Sequence, residues 1–234
     1  MTRPRPAARA PLVLVVDVGG TNVKLRAADW PEREKFPSGS DMGPAEMVAR
    51  VRETVAGRPF DVVALGYPGP VEDGRPAREP HNLASGWVGF DFEAAFGVPV
   101  RTLNDAAMQA LGNYRGGRML FLGYGTGLGS AMVADGVVIP LELAHLPYRA
   151  GRTYEEYVGA AGRERLGSAR WKRHCMKVAR MLRDAMQVQD VVLGGGNAKR
   201  LTDLPEGMRH GTLEAAFEGG LQLWASRPGA DQKD

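Results

Sequence analysis

Two glycine-rich turns carry the residue types that could bind phosphate. The first, DVGGTN, spans residues 17–22, and the second, GTGLG, spans residues 125–129. Glycine lets the backbone approach an anion closely and point its N–H groups at it. Because each half of the chain holds one such turn between two strand-like runs, we predict that two lobes hold one phosphate donor between them. The pattern indicates phosphoryl transfer rather than binding alone.

An adjacent pair of polar residues, Asn104 and Asp105, stands where a short strand, PVRTL, meets a helix, AAMQALGNYRG. A carboxylate at this place could act as a general base and accept the proton of an attacking hydroxyl, whose own pKa lies far above neutrality. The alternative is a helix N-cap. The two roles are compatible, because Asn104 can cap the helix while Asp105 faces a cleft.

Buried strands and amphipathic helices alternate along the chain and must position these residues. The runs LVLVVDV, DVVALGY and DVVLGGG are typical of buried strands. Helices are predicted over residues 43–57, 154–166 and 170–187, after the glycine turn at 194–197, and over the closing run LEAAFEGGLQLW. This alternation predicts a mixed α/β sheet in each half, and the two similar glycine hairpins predict a duplicated unit with a ligand cleft between the lobes.

The composition is that of a globular protein: 234 residues, 44% hydrophobic and 24% charged. The single cysteine, Cys175, excludes an internal disulfide and a cysteine-rich zinc site. No apolar run approaches the roughly 20 residues that span a bilayer, and no apolar signal segment follows the basic first residues. We therefore expect a cytoplasmic protein without membrane contact, with flexible tails over residues 1–11 and 227–234.

The net charge of +3 and the pI of about 9.1 fit either simple solubility or a polyanionic ligand. On the helix predicted from residue 170, one face is apolar, and five cations share a neighbouring arc: Lys172, Arg173, Lys177, Arg180 and Arg183. They could follow a polyphosphate chain, or they could be the solvated outer face of a packed helix. No aromatic residues alternate with them, so we expect no nucleic-acid binding.

Six motifs, in order, resemble those of the ROK family of sugar kinases: DVGGTNVK, GYPGPV, HNL with GW, ND, GTGLG and ELAH. The resemblance covers about residues 12–200 and is strongest to the polyphosphate glucokinases of that family. It implies an α/β, two-lobed, actin-like (ribonuclease H-like) fold with a central interlobe cleft. The implied N-terminal lobe is 12–103 with a C-terminal helix of about 212–225, and the C-terminal lobe is 104–211.

The resemblance also implies the sugar site. It makes Asp105 the catalytic base and gives sugar contacts to Asn82, Asn104, Asp105, Glu142, His145 and Glu155. The usual glycine between the glutamate and the histidine is Ala144 here. Alternatives stay open: His145 as a core histidine, Asn82 as a plain turn residue, and Glu156 in place of Glu155, with a solvated helix face possible for either glutamate.

On the donor side, the resemblance implies that Asp17 orients a water on Mg²⁺ and that both turns donate hydrogen bonds to phosphate, through Gly19, Gly20, Thr21, Thr126, Gly127 and Gly129. Gly195 lies in a turn that contacts adenosine in ATP-using relatives, or it serves only as a tight strand-to-helix turn. Many members carry a zinc loop after the histidine, but HLPYRAGRTYEEY has no cysteine. We therefore predict no zinc site.

These observations predict a hexose kinase that transfers a phosphoryl group from ATP or inorganic polyphosphate to the 6-hydroxyl of glucose. The family also suggests a homodimer. Three alternatives remain: a kinase for another hexose or an N-acetylated amino sugar, a non-catalytic ROK-type sugar sensor, and an actin-like filament protein. The last would not need the Asn104–Asp105 and Glu142/His145 residues.

Overall fold

The first half of the chain builds a five-stranded sheet, in a computed structural model that describes residues 9–225. Its elements, in chain order, are β1 (Val13–Val18), β2 (Asn22–Ala27), β3 (Glu34–Pro37), α1 (Pro44–Thr54), β4 (Val62–Tyr67), β5 (Val71–Glu72), β6 (Arg75–Pro76), α2 (Phe92–Phe96), β7 (Val100–Asn104) and α3 (Asp105–Asn113). Strands β5 and β6 form a separate small hairpin.

The second half builds another five-stranded sheet. Its elements are β8 (Arg118–Tyr124), β9 (Leu128–Ala134), β10 (Val137–Leu141), β11 (Pro147–Arg149), β12 (Arg152–Thr153), α4 (Tyr154–Val158), α5 (Ala160–Leu166), α6 (Ser168–Met186), β13 (Asp190–Gly194), a 3₁₀ turn (Ala198–Arg200), β14 (Met208–His210) and α7 (Ala215–Trp224). Strands β11 and β12 pair with each other outside the sheet.

The two large sheets repeat one topology. Their strand orders are β3-β2-β1-β4-β7 and β10-β9-β8-β13-β14. In each, the first three strands are antiparallel and the last two run parallel to the central one. The first glycine-rich turn joins β1 to β2, and the second joins β8 to β9. The prediction of a mixed, duplicated α/β fold is confirmed.

Helices cover both faces of each sheet. Strands β1 and β4 are buried along their whole length, as their unbroken apolar sequences require. Helix α1 covers one face of the first sheet, and α7 packs against β1 and β4 on the other. Helix α3 packs on one face of the second sheet, and α4 and α6 on the opposite face.

Helices α3 and α7 lie between the two sheets and cross each other at glycines. A Cβ added to Gly112 of α3 would overlap the carbonyl of Ala215, and a Cβ added to Gly219 of α7 would overlap the carbonyl of Met108. The two helix backbones are therefore in direct contact, and the first residue of α3 lies where the two sheets meet.

Two of the predicted helices differ from the structure. The helix expected over 154–166 is divided at Gly159, whose extended backbone lets the Ala160 N–H donate to the Thr126 carbonyl at 3.0 Å. The turn after β13 leads only into the 3₁₀ turn, because Pro205 and β14 follow too closely for a longer helix. Both differences come from contacts distant in sequence.

The predicted lobe boundaries stay a prediction. Apart from residues 9–11, the predicted tails lie outside the described residues, and Arg9 forms an ion pair with Asp61 at 3.0 Å. Within residues 9–225, no helix has the length and apolarity needed to cross a membrane.

Candidate active site

Asp105 is the first residue of α3, and Asn104 caps that helix. The Asn104 Oδ1 accepts a hydrogen bond from the Ala107 N–H at 3.1 Å, and its Nδ2 donates to the Gly69 carbonyl at 3.1 Å. The predicted cap is therefore confirmed, and it ties the helix start to the turn after β4. The Asp105 Oδ1 accepts a hydrogen bond from the Ala106 N–H at 2.7 Å.

The surroundings of Asp105 make its carboxyl group a weaker acid than an exposed aspartate. Burial, and to a smaller extent the negative charge of Asp17, raise the pKa of Asp105 from 3.8 to about 7. The Ala106 N–H and the positive charge of Lys24 act against this shift. A carboxyl group that exchanges its proton near neutral pH is suited to general-base catalysis.

Asp17 lies opposite Lys24 in the β1–β2 ladder, beside the first glycine turn. The Lys24 Nζ donates to the Asp17 Oδ2 at 3.0 Å; the Asp17 side chain is 10% exposed and that of Lys24 49%. The Gly19 N–H closes the turn on the Asn22 carbonyl at 3.0 Å, while Thr21 is exposed. The turn thus has one buried carboxylate and one accessible cation at its base.

Asn82 lies against the same turn. A Cβ placed on Gly20 would be 3.2 Å from the Asn82 Cβ. The Asn82 loop is held by the Glu79 carboxylate, which accepts hydrogen bonds from the N–H groups of Trp87 and Val88 at 3.0 and 3.2 Å. Because Trp87 is fully buried, the loop is fixed, and it presents an exposed Asn82 beside Gly20.

The second glycine turn is already occupied by protein groups. The Leu128 N–H donates to the Glu155 Oε2 at 3.1 Å, and a Cβ on Gly127 would overlap the Glu155 carboxylate. A Cβ on Gly129 would lie 3.0 Å from the Ala106 Cβ. The turn is therefore adjacent to the start of α3, and Thr126 at its tip is exposed.

A third turn, at residues 194–197, docks on the second. Gly195 has a φ of +80°, and a Cβ there would lie 2.5 Å from the Tyr124 carbonyl oxygen, so glycine is required. The Asn197 N–H donates to the Tyr124 carbonyl at 2.9 Å, and its Nδ2 donates to the Gly125 carbonyl at 3.1 Å. The Arg163 guanidinium donates to the Asn197 Oδ1 at 2.5 Å.

Glu142 and His145 form an accessible pair. Their side chains are 63% and 64% exposed, and the His145 Nε2 lies 3.8 Å from the Glu142 Oε1, so His145 is not a core histidine. Ser130 fixes the segment, because its hydroxyl donates to the Leu141 carbonyl at 2.8 Å. Ala144 does not have a positive φ, so alanine causes no backbone strain there.

Glu155 and Glu156 have different environments. Besides its contact with Leu128, Glu155 donates its N–H to the Ala144 carbonyl at 3.0 Å, which joins it to the Glu142–His145 segment. Glu156 is exposed, forms a capping box with Thr153 and pairs with Arg152 at 3.2 Å. Glu155 therefore lies with the other candidate site residues, whereas Glu156 stabilises the start of α4.

Four rings anchor the hairpin between these two segments. The Tyr148 hydroxyl lies 3.0 Å from the His174 Nδ1 on α6, and the Tyr148 ring packs on Tyr154 and Tyr157 with centroids 5.1 Å apart in each case. Within residues 9–225, no group of three or more His, Cys, Asp or Glu side chains could hold a metal ion. The contacts of Tyr148 with His174, Tyr154 and Tyr157 hold the hairpin in place.

Three residues of the site were missed by the sequence reasoning: Lys24, Ser130 and Arg163. The sequence contains a signal for Lys24 only: Asp17 and Lys24 lie at equal distances before and after the first glycine turn, and such residues pair with each other in a hairpin. Ser130 and Arg163 act through partners whose proximity depends on the tertiary fold.

Comparisons with known proteins place this geometry in a family context. No protein-family model matches the chain. Among curated proteins, the chain is 26% identical over 207 residues to the polyphosphate glucokinase of Mycobacterium tuberculosis (strain ATCC 25618 / H37Rv), covering 79% of this chain and 77% of the relative. It is 33% identical over 149 residues to the kanosamine kinase of Amycolatopsis mediterranei (strain S699), covering 56% and 48%.

Solved structures share the fold over nearly the whole chain. The inorganic polyphosphate/ATP-glucomannokinase from Arthrobacter sp. strain KM has a TM-score of 0.76 at 28% identity and covers 93% of this chain and 99% of its own. A ROK family glucokinase from Streptomyces griseus has a TM-score of 0.73 at 16% identity, covering 91% and 98%, a likeness of fold alone. The predicted fold class is thus confirmed, and so is the predicted resemblance: the chain is similar to polyphosphate glucokinases and to ROK family sugar kinases, which are phosphotransferases that act on an alcohol group.

Proposed function

We propose that the chain transfers a phosphoryl group from ATP or inorganic polyphosphate to the 6-hydroxyl of glucose, with Asp105 as general base. The observation that supports this most is the position of Asp105. It lies at the start of α3, between the two glycine turns, with a pKa of about 7 and with the Asp17–Lys24 pair close enough to influence it.

The proposed reaction needs one proton acceptor and a place for the donor phosphates. The 6-hydroxyl oxygen attacks the terminal phosphorus of the donor while its proton passes to the Asp105 carboxylate. The bond from that phosphorus to the bridging oxygen breaks, and the leaving group departs with the electron pair as ADP or a shortened polyphosphate. The backbone N–H of Gly20 is suited to stabilise the phosphate oxygens, whereas the Gly19 N–H already donates to the Asn22 carbonyl.

Asp17 fits a magnesium ion. Protein-bound Mg²⁺ is held through one or two carboxylates together with substrate phosphates and water. Asp17 offers one carboxylate, only 7% exposed as a residue, at the base of the first turn. A bound ion would supply positive charge to the phosphate oxygens during transfer, and Lys24 adds a second positive charge at the same place.

The sugar is expected to contact the residues that surround Asp105. Asn82 lies beside the first turn, Glu155 beside the second, and Glu142 and His145 on the segment joined to Glu155. Their acceptors and donors suit the vicinal hydroxyls of a pyranose. We propose glucose as the substrate; the similarity to a kanosamine kinase makes an amino sugar the second candidate.

The proposed base predicts a pH profile. Asp105 must be deprotonated to accept the hydroxyl proton, and its pKa is about 7. Below that pH, kcat/KM should fall about tenfold per pH unit, because the fraction of ionised carboxylate falls by that factor. A profile that stays flat down to pH 5 would contradict the assignment of Asp105.

Sugar phosphorylation tests the proposal directly. Glucose 6-phosphate formation would be followed by a coupled assay with ATP and with polyphosphate in parallel, and product from mannose, N-acetylmannosamine and kanosamine by mass spectrometry. Turnover of glucose with at least one donor is expected. Turnover of an amino sugar alone would favour the second candidate, and no turnover of any sugar would favour a sensor. A homodimer, the absence of nucleic-acid binding and a cytoplasmic location stay predictions.

A further inference from the structure

Four cations share one face of the β2–β3 pair. Along β2, alternate residues are buried in the core, so Lys24 and Arg26 point to the other face. Lys24 pairs with Lys35 in the β2–β3 ladder. One further step in this register places Arg33 opposite Arg26, and directly opposed residues of antiparallel strands share a face. We call these four residues the cationic ribbon face.

Opposed like charges destabilise a sheet unless an anion compensates them. Lys24 is compensated by Asp17 at 3.0 Å, and Arg26 forms an ion pair with Glu214 at the start of α7. Arg33 and Lys35 are exposed and form no ion pair with any residue in the range 9–225. The face therefore carries uncompensated positive charge next to the proposed catalytic centre.

A cavity connects this face with Asp17. It has a volume of about 80 Å³, and its walls include Asp17, Lys24, Arg26 and Arg33 on one side and residues 212–214, 216 and 217 on the other. At about 30 Å³ per water, the cavity holds a few waters or a phosphate group. Pockets that enclose a nucleoside-sized ligand have volumes of about 300 Å³ or more. The cavity thus suits phosphate groups and not a nucleoside.

We propose that the cationic ribbon face, with this cavity, is a subsite for the phosphates that follow the transferred one in an inorganic polyphosphate chain. The inference rests on the proposed function, because it extends the donor site of that reaction. A polyphosphate donor has only charged phosphate groups beyond the reacting one. Lys24, Arg26, Arg33 and Lys35 supply cations along and across two strands, starting beside Asp17.

The basic residues of α6 are less well placed than the cationic ribbon face to bind the polyphosphate chain. Their helix packs through Trp171, Cys175 and Val178 on the face of the second sheet that carries Leu120 and Leu122. Helix α3 packs on the opposite face of that sheet. A chain held by α6 would therefore be separated from Asp105 by the sheet, and α6 offers a matched control.

Binding of tripolyphosphate without sugar tests the subsite apart from catalysis. The double variant Arg33→Gln/Lys35→Gln removes two exposed cations of the ribbon face, and Lys177→Gln/Arg180→Gln removes two exposed cations of α6. By titration calorimetry at low salt, the first should weaken binding about three- to tenfold, as expected for two surface charge contacts. The second should leave it unchanged. Thermal melts would check that both variants fold.

The same variants then enter the coupled assay with both donors. The ribbon variant should raise the KM for polyphosphate by a similar factor, and the KM for ATP less. Unchanged tripolyphosphate binding, an equal loss in the α6 variant, or equal KM changes for both donors would each overturn the subsite. Loss of tripolyphosphate binding in the ribbon variant, with no sugar phosphorylated by the wild type, would instead keep the subsite and overturn the proposed function.

Discussion

The two glycine turns occupy equivalent positions in equivalent sheets, yet their surroundings differ. At the first, Asp17 and Lys24 form a charged pair, and the Gly19 N–H donates to the Asn22 carbonyl at 3.0 Å. At the second, the Glu155 carboxylate already accepts the Leu128 N–H, and Asn197 binds the carbonyl of Gly125. The duplication therefore repeats the backbone, while the side chains give the turns different chemistry.

This difference suggests a division of labour. The first turn combines a buried carboxylate with cations, which suits a metal ion and phosphate. The second turn connects Glu155, and through it the segment of Glu142 and His145, to the start of α3. We expect changes at the first half of the site to affect the donor and the chemical step, and changes around the second turn to affect the sugar.

The largest effect is expected for Asp105→Asn, since it removes the proposed base where both turns meet. The amide cannot accept the hydroxyl proton, so kcat should fall by about 10²–10⁴-fold, with a smaller change in KM. The coupled assay would measure it, with the exposed Asp184→Asn on α6 as control. Full activity of Asp105→Asn would contradict the proposed mechanism.

The same substitution should stabilise the protein at high pH. The folded protein, with an Asp105 pKa of about 7, keeps a proton that the unfolded chain, with a pKa near 3.8, releases. Stability therefore falls as pH rises between about 4 and 7, by up to about 4 kcal/mol. Calorimetry should give Asp105→Asn a higher Tm than wild type at pH 8 and a similar Tm at pH 4. The same Tm difference at both pH values would exclude this cause.

The matched variants Glu155→Gln and Glu156→Gln distinguish a sugar contact by Glu155 from the capping role of Glu156. Loss of the charge at Glu155 should raise the KM for the sugar about tenfold, because a hydrogen bond to a charged group is weakened. Glutamine at 156 still completes a capping box, so Glu156→Gln should be nearly neutral. The reverse result would assign the sugar contact to Glu156.

A smaller effect is expected for Gly127→Ala. Its Cβ would overlap the Glu155 carboxylate, which can move only by leaving Leu128, so the KM for the sugar should rise about threefold. Gly125→Ala is the control, since an added Cβ there has nothing within 4 Å. If both variants have the same KM for the sugar, Glu155 does not depend on this turn.

Sequence patterns predicted the parts of the fold that depend on neighbours in the chain. Unbroken apolar runs predicted β1 and β4, and the apolar face of α6, with Trp171, Cys175 and Val178, is buried as its spacing indicated. Asn104 was correctly identified as a possible cap, because a cap acts on its own helix. The spacing of apolar residues and the residue type at a helix start are local features of the sequence, so these elements could be predicted from it.

Contacts between distant segments were not predictable in the same way. The break at Gly159 depends on the Thr126 carbonyl, and the site of Glu155 depends on Leu128. The cationic ribbon face depends on the β2–β3 register, which the sequence does not specify. For the same reason the sequence reveals the basic arc of α6, whereas the pairing of Lys35 with Lys24 is visible only in the structure.

The crossing of α3 and α7 has a consequence for movement of the two halves. At Gly112 and Gly219 main-chain atoms of one helix touch those of the other, with no side chain between them. Separation at this point is thus fixed by peptide geometry and is the same whichever rotamers the neighbouring residues adopt. A closing of the halves around a substrate that kept this contact would pivot near the crossing, so the strands furthest from α3 and α7 would travel furthest.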